Sequence, residues 1–171
     1  MADLRKIVLE DDPQLHQPSV AVRRFGDSLH RLLDDMRLTM YRANGVGLAA
    51  PQVGVNKCVI VVDDRENGFF ELVNPRIVEA KGTTEAVEYC LSVPDRGGLV
   101  RRAKEIRIEA QDRYGAPVRL RAHDMLARIF QHEIDHLDGR LFTDIMLREV
   151  RNDAEQEEEP RKKRITAKRR D

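Results

Sequence analysis

Cysteine is scarce: Cys58 and Cys90 are the only two in 171 residues. Two cysteines exclude a scaffold stapled by disulfides, and a chain of this length can bury an adequate core without them. An excess of one charge is also missing, since 30 Lys and Arg balance 30 Asp and Glu. A uniform polyanion-binding surface is thereby excluded, while a local basic patch is not. No apolar run reaches the roughly 18 residues that a membrane span needs. Met1 to Leu9 is short, mixed in charge and followed by no small-residue cleavage site, so no signal peptide is expected. The expected compartment is the cytoplasm, with thiols reduced. There is no internal repeat. What is present is a chain 41% hydrophobic and 35% charged, the balance of a globular domain with a heavily charged surface.

The first 24 residues carry two prolines and little periodicity, and are expected to wrap the surface in extended form. Asp27 is a good N-cap for a helix in which Leu29, Leu32, Leu33, Met36 and Met40 recur at helical spacing, and Asn44-Gly45 ends it. Lys57 to Val62 is a β-branched run, hence a buried strand. Phe69–Val73 and Ile77–Ala80 read as short strands on either side of Asn74-Pro75. Ile106, Ile108 and Ala110 alternate with charged residues, as do Val118, Leu120 and Ala122 after the turn at Gly115-Ala116-Pro117. That pair predicts an antiparallel hairpin. A second helix is expected from about Asp124, its cap, to Leu137, stopped by Gly139. It carries two apolar stripes, one of Leu126, Phe130, Ile134 and Leu137, the other of Met125, Ile129, His132 and His136. Two stripes predict a central helix, packed on a sheet on one side and facing a site on the other. The expected organisation is one catalytic domain over 1–150 and a charged tail over 151–171, frayed helix or disordered. Its acidic half ends at Glu159, and Arg161-Lys162-Lys163-Arg164 and Lys168-Arg169-Arg170 follow.

The chemistry lies in His132-Glu133-Ile134-Asp135-His136. At about 100° per residue, two histidines four apart stand roughly 40° from each other and one turn along the axis. Both imidazoles can then reach one metal ion, while Glu133, turned to the flank, can reach a water without being a ligand. Read alone, the same histidines could be ordinary core or surface residues. An open catalytic site needs a third ligand; no histidine follows Gly139, and Glu149, leading into the charged tail, is the first acidic candidate after Asp144. Upstream, Cys90 could complete a Cys-His-His set or be a small buried hydrophobe. For Cys58, in an apolar run, the buried hydrophobe is the preferred reading.

Three segments together resemble the peptide deformylase family. Gly45-Val46-Gly47-Leu48-Ala49-Ala50-Pro51-Gln52 resembles its GxGLAAxQ motif, Glu88-Tyr89-Cys90-Leu91-Ser92 its EGCLS motif, and Gln131 to Gly139 its QHExDHLxG motif. Order and spacing agree over about residues 4 to 148. The resemblance implies an α+β fold, with antiparallel β-sheets packed around a central helix that carries the HExxH motif. It implies removal of the formyl group from the N-terminal formyl-methionine of nascent chains, with release of formate. Cys90, His132 and His136 match the metal ligands, with water in the fourth position, and Glu133 matches the general base and acid. The Gln52 amide and the Leu91 N–H match the donors to the formyl oxygen. Val46, Met125 and Ile129 match walls of the methionine pocket, and Glu88 and Arg102 match a supporting ion pair.

The steps that the resemblance implies have a physical account, although for Gln52, a polar residue after a proline in a turn, the motif alone supplies the role. A metal lowers the pKa of its water and polarises the carbonyl; Glu133 moves the proton to the leaving amine; Gln52 and Leu91 hold the oxyanion. The small residues Gly45, Gly47, Ala49 and Ala50 suit a groove in which an extended peptide adds as a strand, or close helix–sheet packing, or both. Tyr89 departs from the family's glycine. With positive φ it would disturb substrate binding; with negative φ its ring would line the groove. Arg128 is expected at the rim, its stem packed and its head in water. One divalent ion per chain is expected, Fe²⁺ in the cell, as the resemblance implies, and Zn²⁺ or Ni²⁺ in purified protein. The expected partners are nascent formyl-Met polypeptides and, through the basic tail, ribosomal RNA phosphates; the tail's other reading is a solvated charged segment. No membrane association is expected, and the chain is read as a monomer. The rival readings are a non-catalytic relative that binds a peptide, an amidase for another small acylated substrate, and a structural zinc site with Cys58 as fourth ligand.

Overall fold

The computed structural model describes residues 1–151. The expected tail therefore lies outside the described residues, except for Arg151, which ends a strand. Helix α1 spans Asp27–Arg42. Its N-cap is Gly26, one residue earlier than expected, and Asp27 becomes the first helical residue, where a carboxylate favours the positive end of the helix dipole. Leu29, Leu32, Leu33, Met36 and Met40 are all buried. At its end Asn44 turns left-handed, with φ 56°. The Gly45 N–H then reaches back to the Met40 carbonyl at 2.9 Å and the Asn44 N–H to Tyr41. Both bonds satisfy last-turn carbonyls and aim the chain into the glycine-rich segment.

Eight strands follow among the described residues. They are β1 (Gly47–Ala49), β2 (Val59–Asp63), β3 (Phe69–Lys81), β4 (Thr84–Cys90), β5 (Val93–Arg102), β6 (Glu105–Gln111), β7 (Pro117–His123) and β8 (Arg148–Arg151). Between β7 and β8 lie helix α2 (Asp124–Leu137) and the single turn α3 (Phe142–Ile145). A five-stranded sheet has the order β1-β2-β3-β6-β7, and a three-stranded sheet the order β4-β5-β8. Both are antiparallel. The large sheet lies between the two long helices. In β2, Ile60 and Val62 pack with Phe130 and Leu126 of α2, while Val59 and Val61 pack with Leu33 and Met36 of α1. Burial on both faces is why β2 reads as an unbroken apolar run. A third cluster, with Cys90, Val93, Val100, Leu141 and Phe142, backs the small sheet. None of the described helices is long and apolar enough to cross a membrane.

The hairpin of β6 and β7 and the extent of α2 match the sequence reading. Three features differ. The two short strands around Asn74-Pro75 are one 13-residue strand, β3. Its pairing with β6 shifts between Val73 and Arg76 and again between Ile77 and Glu79, so the proline disturbs the register without ending the strand. The Asn74 side chain holds Val22 there by two hydrogen bonds, of 2.8 and 2.9 Å. Second, His123 rather than Asp124 occupies the N-cap of α2. Third, β4, β5 and β8 carry no clear period in the sequence; Pro94 and Gly97-Gly98 interrupt β5, and only its partners keep it extended. Residues 10–17 turn through a 3₁₀ segment, Pro13–His16, that buries Leu15, and among the described residues the only strand pairing of the first 24 is the isolated bridge of Val20 with Lys57. Their backbone ties to the Gln52 carbonyl through Val8 and to the Ser92 carbonyl through Glu10. A Cβ at Gly139 would sit 2.7 Å from the His16 backbone, so the glycine that ends α2 also admits this segment.

Candidate active site

Helix α2 presents His132, Glu133 and His136, all buried, toward the small sheet. Cys90, the last residue of β4, meets them: its Sγ lies 3.4 Å from His136 Nε2. The Cys90 sulfur and one nitrogen from each histidine lie within 4.8 Å of one another. One ion can touch all three atoms, and a thiolate with two imidazoles suits a borderline divalent metal. His132 Nδ1 is engaged by Glu88 Oε1 at 2.8 Å. That bond leaves Nε2 to face the site, the usual second partner of a metal-binding histidine.

The two histidines sit in opposite electrostatic settings. Burial opposes a charge on His132, but hydrogen bonds to Cys90 and Glu88 and the nearby Glu133 outweigh it and push its pKa well above the usual value. Burial, His132 and Arg102 push His136 well below it, which keeps that imidazole neutral with a free lone pair. Burial raises Glu133 to about 7, against the pull of His132. A carboxyl poised near neutrality can both take and give a proton. Glu133 Oε2 is buried without a hydrogen-bond partner. Its other oxygen lies where a Cβ on Gly47 would come within 2.5 Å. Gly47 is therefore required for close packing of β1 on α2, one of the two readings of the small-residue stretch.

Glu88 is the hub of the support. Its Oε1 accepts from Arg102 Nη2 and His132, and its Oε2 from Arg102 Nε and from Arg128 Nη1 at 2.7 Å. Burial alone would raise its pKa; the Arg102 and His132 bonds instead hold it at about 2. Glu88 and Arg102 form the ion pair that the resemblance implies. Arg128 is buried rather than at the rim, and its guanidinium also donates to the Val100 carbonyl and to the Thr84 carbonyl and hydroxyl. The reason is tertiary: β4 and β5 cross the helix there and offer a carboxylate and two carbonyls. Sequence reasoning also misses Asp135, which pairs with Arg102, and Ser92, fully buried beside Gln52. Their positions inside the HExxH and EGCLS segments are the only signals.

Gln52 sits in a 3₁₀ turn, Ala50–Val53. Its Oε1 accepts the Ala49 N–H at 2.9 Å, which turns Nε2 toward Ser92 Oγ at 3.1 Å and Cys90 Sγ at 3.5 Å. Cys90 pairs with Val93, so Leu91 and Ser92 form the turn between β4 and β5, and the Leu91 N–H lies outside both strands. A cleft of about 490 Å³ opens before these groups. Val46, Met125 and Ile129 line it, as do Gly45, Gly47 and Tyr89. Tyr89 is absent from the residues with positive φ, so its ring lines the groove without backbone strain. Cys58 packs against the core of the large sheet, outside the Cys-His-His group. Burial, then Asp138, pushes its thiol up. Both cysteines are free thiols.

The family model for polypeptide deformylase matches residues 4–152 of the chain. A peptide deformylase of Caldicellulosiruptor bescii is 50% identical over 161 residues, 94% of this chain and 95% of its own length. Among solved structures, a peptide deformylase from Legionella pneumophila superposes with a TM-score of 0.82 at 42% identity, over 84% of this chain and 86% of its own. One from Thermotoga maritima superposes with a TM-score of 0.83 at 37% identity, over 85% and 99%.

Proposed function

The chain belongs to the polypeptide deformylase family, and from that premise we propose how its own residues take the formyl group from the N-terminal methionine of new polypeptides. It is a metal-dependent amide hydrolase of this family. Cys90, His132 and His136 would hold the metal, and the observation that carries this is their convergence within 4.8 Å beside an unpartnered Glu133 carboxylate. When bound, a divalent ion supplies Lewis acidity, polarising the formyl carbonyl and making water more acidic. Glu133 takes the proton of the attacking water and returns it to the methionine nitrogen as formate leaves. The Gln52 Nε2 amide and the Leu91 N–H donate to the oxyanion that develops on the formyl oxygen. Glu88, with Arg102 and Arg128, holds the His132 ring in place. Val46, Met125 and Ile129 receive the methionine side chain, whose apolar character matches theirs.

The cell's metal is Fe²⁺ in this reading, and Zn²⁺ or Ni²⁺ serve in purified protein. The compartment is the cytoplasm and the protein acts as a monomer. The basic residues Arg161 to Arg170 meet ribosomal RNA phosphates, supported by their sequence alone. Deleting residues 160–171 should weaken ribosome co-sedimentation at low salt; unchanged co-sedimentation removes the idea.

The direct test is formate release from a formyl-Met tripeptide by anaerobically prepared, Fe²⁺-loaded protein. Gln52→Ala should lower kcat by about 10²–10³, the usual loss for one oxyanion donor, with KM nearly unchanged. A loss confined to KM would mean that Gln52 only binds substrate.

A further inference from the structure

We infer that Tyr89 is a specificity-determining residue: its ring forms a shelf at the mouth of the cleft for an apolar or aromatic side chain directly after the methionine. This role rests on the deformylase reading above. Along β4, Glu88 and Cys90 turn inward to α2 and are buried, while Val87 and Tyr89 stand 37% and 55% exposed. The pairing of β4 with β5 is regular as far as Glu88 and Gly98, and meets again only at Cys90 and Val93. Between these pairs Tyr89 alone stands opposite four residues, Pro94 to Gly97. Irregularities of this kind re-aim side chains beside functional sites. Here the ring comes down onto the β5 backbone: a Cβ on Gly97 would lie 2.6 Å from Tyr89 Cε1 and 3.0 Å from Cδ1. The missing side chain at 97 is the seat of the ring.

The seat is firm. A Cβ on the adjacent Gly98 would lie 2.8 Å from the Met146 sulfur and 3.1 Å from the Phe142 ring, so the strand is packed tightly from its other side. A tyrosine supported from beneath has two torsions to lose and loses little more when a ligand lands on it. The position of the ligand follows from strand geometry. Successive side chains of an extended peptide point to opposite sides. The methionine side chain points inward, toward Met125 and Ile129, on the side of Glu88 and Cys90. The next side chain then points outward, on the side of Val87 and Tyr89. Val46, across the groove, is 43% exposed, so the mouth presents apolar surface on both banks.

The test compares formyl-Met-X-Ser peptides, with X as Phe, Leu, Ala or Asp, on metal-loaded full-length protein and on Tyr89→Ser and Tyr89→Phe. Wild type should favour Phe over Ala by about three- to tenfold in kcat/KM, the size of an aromatic contact, with the difference in KM. Tyr89→Phe should keep the ratio, and Tyr89→Ser should bring it to about one. Each ratio is taken within one preparation, so a partly unfolded variant does not distort it. A flat wild-type profile, or a preference retained in Tyr89→Ser, overturns the shelf while leaving the deformylase reading intact. Absence of turnover of every formylated peptide by loaded wild type overturns both.

Discussion

Glu133→Gln should lower kcat for formate release by about 10²–10⁴, the range for loss of a positioned general base, while the protein still binds its metal and unfolds at an equal or higher temperature. The two halves of this result share one cause. Burial raises the Glu133 carboxyl to about 7, and Oε2 has no hydrogen-bond partner. A carboxyl raised in the folded state favours the protein less as pH rises past its ordinary value. A neutral amide of the same shape removes that burden and cannot move the proton. Thermal unfolding of metal-free protein and single-turnover kinetics of loaded protein separate the two effects. An unchanged kcat would remove Glu133 from the chemistry, and a large drop in Tm would show that it serves the fold instead.

Glu88→Ala should be the most damaging change to the site's framework. Three cationic or cation-favouring groups lose their shared anion: Arg102, Arg128 and His132. Arg102 keeps Asp135 and Arg128 keeps its carbonyl partners, but Nδ1 of His132 loses its acceptor. Breaking a buried charge cluster by removing one partner costs about 3–5 kcal/mol. At about 2–4 °C per kcal/mol for a chain of this size, Tm should fall by roughly 6–20 °C. Metal affinity should fall about 10–100-fold, as when the partner of a ligand histidine is removed. Calorimetry of the loaded protein and competition with a chromophoric chelator measure the two. Glu88→Gln keeps the shape and one acceptor oxygen, and should fall between. Wild-type Tm and metal affinity in Glu88→Ala would mean that the cluster does not hold His132.

The sequence by itself determined the local features whose cause is local. The i, i+4 spacing placed His132 and His136 on one face of α2 whatever surrounds them, and two apolar stripes required that helix to be central. Alternation along Ile106 to Ala110 and Val118 to Ala122 specified the hairpin, because one face is buried and the other wet. The motif around Cys90 marked it as the candidate third ligand by resemblance; spacing could not, since 41 residues and three strands, β5 to β7, intervene before His132. Tertiary structure decided what depends on partners distant in sequence. β5 is a strand only because β4 and β8 pair with a stretch broken by Pro94 and two glycines. Along the sequence Arg128 falls on α2 near the pocket-wall positions Met125 and Ile129, which places it at the rim. It is buried because Glu88, Val100 and Thr84 come across from the small sheet to meet it. Tyr89 departs from the family's glycine in the sequence, and the space that seats its ring comes from Gly97 on the neighbouring strand. A period can be read along one chain segment, whereas the partners of a buried charge or an exposed ring are set by which segments the fold brings together.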